Sequence, residues 1–135
     1  MNKNRQVNAE LLLREAKAAQ ANSYSPYSKF PVGAALLCAD GTTVQGCNIE
    51  NASYGLTNCA ERVAIQTAIA SGRREFIAMA IVGVPEEPCM PCGACRQVMV
   101  EFNIPRLYFE GPKGKIISYE LDEILPLSFG PRDLI

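Results

Sequence analysis

Ile77-Ala78-Met79-Ala80-Ile81-Val82-Gly83-Val84 is a near-continuous apolar run with no charge in it. A half-exposed strand would alternate apolar and polar residues, so an unbroken run bounded by loops reads as a strand covered on both faces. The segments on either side supply the covering. Upstream, Ala60, Val63, Ala64, Thr67 and Ala68 repeat at helical spacing from Cys59 until Gly72 ends the run. Downstream, a proline-rich loop over residues 85–91 leads into a second helix over 92–102. A strand over 106–109 follows, and Gly111-Pro112-Lys113-Gly114 is too short for a crossover, so the strand over 115–119 returns antiparallel. A short helix over 121–125 stops at Pro126 and leaves a tail containing Phe129.

The N-terminal part fits the same plan. Asn8 is placed to cap a helix over residues 9–21, and a loop rich in serine, tyrosine and proline runs to Pro31. Strands over 32–38 and 42–48 flank the turn signal Asp40-Gly41, and a polar loop over 50–58 leads to Cys59. The order of elements predicts an α/β fold, three layers α/β/α around a mixed five-stranded sheet with right-handed crossovers. No repeat or linker divides the chain, and residues 1–135 read as one domain.

Composition narrows the function. The net charge is −1, charged residues make up 20% of the chain and no basic stripe is present, which disfavours a nucleic-acid or anionic-membrane partner. No apolar stretch approaches the roughly 20 residues that span a bilayer. The polar residues 1–6 lack the apolar segment of a secretory signal, so a cytoplasmic protein is expected. Six cysteines in a reducing compartment then read as metal ligands or core residues rather than disulfides. There is no histidine, so a transition-metal site must rest on thiolates, and proton transfer must fall to another group.

Both cysteine motifs follow strands, at the edge where α/β sheets place their sites. Cys92 and Cys95, three apart at a helix start, can grip one ion, and Cys59 at the neighbouring helix start is a natural third ligand. Three protein ligands with an open position describe catalytic zinc. Cys89, which forms a second Cys-x-x-Cys with Cys92, could instead close a four-thiolate structural site, and a redox role of Cys-x-x-Cys is a further reading. Three thiolates overcompensate a divalent ion by one charge. Arg62 and Arg96, each near a ligand in sequence, are candidates for offsetting it through hydrogen bonds to sulfur. Glu61 is either a proton carrier or, with Asn58 as cap, the third helical residue of a capping box.

Cys59-Ala60-Glu61-Arg62 followed by Pro91-Cys92-Gly93-Ala94-Cys95-Arg96-Gln97 resembles the cytidine deaminase family, in particular its small homotetrameric branch. The likeness continues in Tyr27-Ser28-Lys29-Phe30-Pro31-Val32-Gly33-Ala34-Ala35-Leu36, in Gly46-Cys47-Asn48-Ile49-Glu50-Asn51-Ala52-Ser53-Tyr54 and in Glu123-Ile124-Leu125-Pro126. The resemblance implies that Cys59, Cys92 and Cys95 hold one Zn²⁺ per subunit, with Glu61 as proton shuttle and Arg62 tuning the charge at zinc. It implies Phe30, Asn48, Glu50, Ala60 and Phe129 as substrate contacts, Phe129 reaching a neighbouring subunit's site, with Ala52 and Tyr54 in a segment that also approaches a neighbour. Read without it, Phe30 and Phe129 are core aromatics, and Asn48 and Glu50 are turn residues.

The implied reaction is hydrolysis of free cytidine or 2′-deoxycytidine to uridine or 2′-deoxyuridine with release of ammonia. Glu50 beside the sugar would repel a phosphate and so favours nucleosides over nucleotides. Other aminopyrimidine deaminases, a non-catalytic zinc module and a nucleic-acid-editing deaminase are the rivals.

Overall fold

The computed structural model describes residues 6–135. Helix α1 (Ala9–Gln20) is followed by β1 (Gly33–Cys38), β2 (Thr43–Cys47), α2 (Ala60–Ala70), β3 (Phe76–Val82), α3 (Gly93–Glu101), β4 (Arg106–Glu110), β5 (Ile116–Glu120) and α4 (Leu121–Ile124). The expected elements are all present with ends shifted by a residue or two. Asn8 caps α1 by accepting from the Leu11 N–H at 3.0 Å. Gly41 turns the first hairpin in a left-handed conformation, φ +92°, which glycine adopts without a Cβ penalty. Gly72 does the same after α2, φ +98°.

The five strands form one sheet in the order β2-β1-β3-β4-β5. β3 and β4 run parallel, while β1 pairs antiparallel with both β2 and β3 and β5 returns antiparallel to β4. The apolar run that opened the reading is β3, buried along its whole length. One face carries Leu12 and Ala16 of α1 against Ala35, Ala78, Ala80 and Val82. The other carries Ala64, Ile65 and Ala68 of α2 and Met99 of α3 against Leu36, Met79, Ile81, Leu107 and Phe109. A register shift between Leu37 and Cys38 breaks the alternation, and Ile77 and Ala78 both face α1 as a result.

Two glycines set how closely the helices approach. A Cβ on Gly33 would lie 2.0 Å from the Ala16 carbonyl oxygen, and one on Gly46 would lie 2.5 Å from both the Ala60 oxygen and the Ala64 nitrogen. The Gly46 contact matters for the site, because it seats the first turn of α2 on the sheet. Gly46→Ala is expected to lower stability by about 1–3 kcal/mol, the usual cost of overpacking. It should also displace Cys59 and Glu61 enough to cost activity beyond the fraction unfolded. Urea unfolding set beside turnover of the folded fraction checks both.

Candidate metal centre

β2 and β3 end, and antiparallel β1 begins, at one edge of the sheet, since Gly33 pairs with both Cys47 and Val82. Everything leaving that edge lands together. Ile49 bridges to Tyr24 on one side and to Asn58 on the other, drawing the 22–31 loop and the start of α2 around residues 48–50.

Cys59 and Cys92 are the N-cap residues of α2 and α3, and neither side chain caps its helix. Their sulfurs therefore lie at the starts of two helices, beside the positive dipole ends. The Cys59 and Cys92 sulfurs are 3.9 Å apart and those of Cys92 and Cys95 3.6 Å. All three lie within 4.8 Å of one another. Tetrahedral zinc with Zn–S of about 2.3 Å needs sulfurs about 3.8 Å apart, so the triangle fits the ion. Among the described residues Cys89 is not part of this group, which leaves three ligands and an open corner. All six cysteines are free thiols.

Arg62 donates to the Cys59 sulfur at 3.4 Å, and its Nε is buried without a partner, a donor suited to a more negative sulfur cluster. Hydrogen bonding from Cys95, then from Arg62, holds the Cys59 thiol well below its ordinary pKa. Arg62→Ala leaves the excess negative charge at a loaded site unbalanced. The acid limb of the pH–rate profile is expected to move up by about one unit with zinc content unchanged. An unmoved profile would separate Arg62 from metal tuning.

The second arginine does something else. Arg96 does not reach sulfur; its Nε donates to the Pro91 carbonyl at 2.8 Å and its Nη1 to the Ile124 carbonyl at 2.5 Å. It braces the ligand loop against α4, a role that sequence proximity to Cys95 did not reveal.

Glu61 is only 4% exposed. The helix begins at Ala60 with Cys59 as its cap, so Glu61 is the second helical residue and the capping-box reading with Asn58 does not hold. Burial pushes its pKa up to about 7, with the Cys59 charge adding to the rise. Burial raises the Cys89 thiol, with the Glu61 charge adding to the rise.

Ala60 has its side chain in the core, leaving its backbone N–H at the helix start. Phe30 is 42% exposed, not a core aromatic, and its ring lies with Cys89 against Gly83. Asn48 is buried; its Oδ1 accepts from the Val32 N–H at 2.9 Å and from the Ser23 hydroxyl, and its Nδ2 donates to the Phe30 carbonyl at 2.9 Å. One Nδ2 hydrogen is left over. Glu50 accepts from the N–H groups of Tyr27 at 2.9 Å and Ser28 at 3.2 Å and from the Ser28 hydroxyl. Tyr27, Ser28, Glu50, Tyr54 and Thr57 line a recess of about 370 Å³. Tyr54 thus stands beside Glu50 of its own chain, its ring 6.1 Å from that of Tyr27, yet it stays 76% exposed. Ala52 is exposed on the same loop. Phe129, 59% exposed, is not a core aromatic either; it sits on the C-terminal segment, where Gln97 donates to its carbonyl at 2.7 Å.

Residues 6–110 match the family described as "Cytidine and deoxycytidylate deaminase zinc-binding region". The chain belongs to this deaminase family. It is 49% identical to a cytidine deaminase of Sporosarcina psychrophila, over 95% of this chain and 96% of that protein. Against a cytidine deaminase of Halalkalibacterium halodurans the identity is 46%, over 95% of this chain and 98% of that protein. The crystal structure of the Burkholderia pseudomallei cytidine deaminase superposes with a TM-score of 0.85 at 46% identity, covering 92% of this chain and all of that one (100%). A family zinc-binding region coincides with the three-sulfur triangle, so the deaminase fold here carries a site for zinc.

Proposed function

We propose that the chain works as one zinc-dependent deaminase domain that hydrolyses free cytidine and 2′-deoxycytidine to uridine and 2′-deoxyuridine, releasing ammonia, as in pyrimidine salvage. The observation that carries this is the three-sulfur triangle at the starts of α2 and α3, with Glu61 buried on the first turn of α2 two residues after Cys59. Bound zinc would supply Lewis acidity, lowering the pKa of solvent at the open corner.

The chain's own groups supply the rest. Glu61 accepts a proton from the attacking water and gives it to ring N3, which makes C4 electrophilic for addition. It then carries the second proton to the exocyclic amine, which leaves as ammonia and returns Glu61 to carboxylate. In this reading Phe30 meets the pyrimidine, and the spare Asn48 N–H and the remaining acceptor site on Glu50 take sugar hydroxyls. Because Glu50 is held below the ordinary carboxylate range, by the Ser28 hydroxyl first, it is an anion near neutral pH and disfavours a phosphate there.

The same reading makes the enzyme a homotetramer with shared sites, supported by the exposed Tyr54, Leu56 and Phe129. It also places the enzyme in the cytoplasm, supported by the six free cysteines. No described helix is long and apolar enough to cross a membrane. Ammonia release from cytidine, followed beside conversion to uridine, tests the activity; no release by zinc-loaded protein would overturn it.

A further inference from the structure

The Ser28 hydroxyl joins two groups that the proposed function assigns to different parts of the substrate. It donates to a Glu50 carboxylate oxygen and accepts the Phe30 N–H at 3.0 Å. The backbone is bent to allow this. Lys29 adopts a left-handed conformation, φ +58°, rare for a residue with a Cβ, and its N–H closes back on the Ser25 carbonyl at 3.0 Å. The Ser28 N–H adds a second link to Glu50, at 3.2 Å. A turn that accepts an unfavourable φ and closes on one carboxylate is over-determined at that point.

We propose that Ser28 is a positioning residue that sets specificity for a hydroxylated sugar by fixing the Glu50 carboxylate. The inference rests on the reading of Glu50 as the sugar contact. A carboxylate has about four acceptor positions. Tyr27 N–H, Ser28 N–H and the Ser28 hydroxyl fill three of them. One remains, on the oxygen that the Ser28 hydroxyl holds, so the serine decides where a sugar hydroxyl can be received. The same hydroxyl is the largest cause of the lowered Glu50 pKa, which keeps that position an acceptor.

The test compares cytidine with 2′,3′-dideoxycytidine on the zinc-loaded wild-type enzyme, Ser28→Ala, Ser28→Thr and Glu50→Gln. Ser28→Ala is expected to raise KM for cytidine by about tenfold, the worth of one charge-assisted hydrogen bond, with kcat nearly unchanged. It should leave kcat/KM for the dideoxynucleoside close to wild type, so that the preference between the two substrates shrinks, and Ser28→Thr should restore it. A Ser28→Ala enzyme that keeps the wild-type preference, or loses both substrates equally, overturns the proposal. Glu50→Gln separates the two failures. If it collapses the preference while Ser28→Ala does not, Glu50 holds the sugar without help from Ser28; if it leaves the preference intact, the sugar role of Glu50 itself is wrong.

Discussion

Glu61→Gln is expected to cut turnover of cytidine by roughly 10²- to 10⁴-fold, the usual contribution of a positioned acid–base group, while zinc stays bound. Glutamine keeps the shape and hydrogen-bonding oxygen of the side chain and removes only its ability to carry a proton. Wild-type activity should fall with acidity, because the protonated group cannot accept a proton. Burial raises the Glu61 pKa to about 7, which makes a second prediction for the metal-free protein. Between the unfolded pKa and the raised folded one, the folded state holds more protons, so this group makes folding less favourable as pH rises. Metal-free Glu61→Gln should therefore be more stable than metal-free wild type at pH 8, on the order of a few kcal/mol. Thermal unfolding of both proteins at pH 5 and pH 8 reads this out; equal stability at pH 8 would contradict a buried, costly carboxylate.

Removing zinc with a chelator is expected to abolish ammonia release and to loosen the fold, and adding zinc back should restore both. The three sulfurs come from the N-caps of α2 and α3 and from the first turn of α3, so metal binding ties two helices that otherwise touch little. Free zinc at about 1,000 times its dissociation constant stabilises a folded state by about 4 kcal/mol. For a domain of this size that is roughly 15 °C in Tm. An unchanged melting curve with activity lost would mean that zinc acts at the site without bracing the helices.

The fold was legible because its signals were local and consistent. The apolar β3 run, the Asp40-Gly41 turn, the Asn8 cap and the short link between β4 and β5 each admitted one reading, and each is observed. Spacing alone left Cys89 open as a fourth ligand, and it was the family resemblance that picked Cys59, Cys92 and Cys95. A Cys-x-x-Cys pattern counts residues without saying where the side chains point, and only the folded loop puts Cys89 against Gly83 and Phe30. The alternative that put Glu61 at the third helical position of a capping box fails because the helix starts after Cys59, not after Asn58, a one-residue matter that composition does not fix. The work of Arg96, Ser28 and Gly46 was invisible for a common reason. Each acts on atoms distant in sequence, the Ile124 carbonyl, the Glu50 carboxylate and the backbone of α2, and no periodicity records such contacts.

Zinc K-edge X-ray absorption of the metal-loaded protein counts the sulfurs directly. Three sulfur neighbours and one lighter atom, unchanged in Cys89→Ser, are expected for an open site served by Glu61. Four sulfurs, falling to three in Cys89→Ser, would make the ion structural and leave the deaminase chemistry without a place to occur.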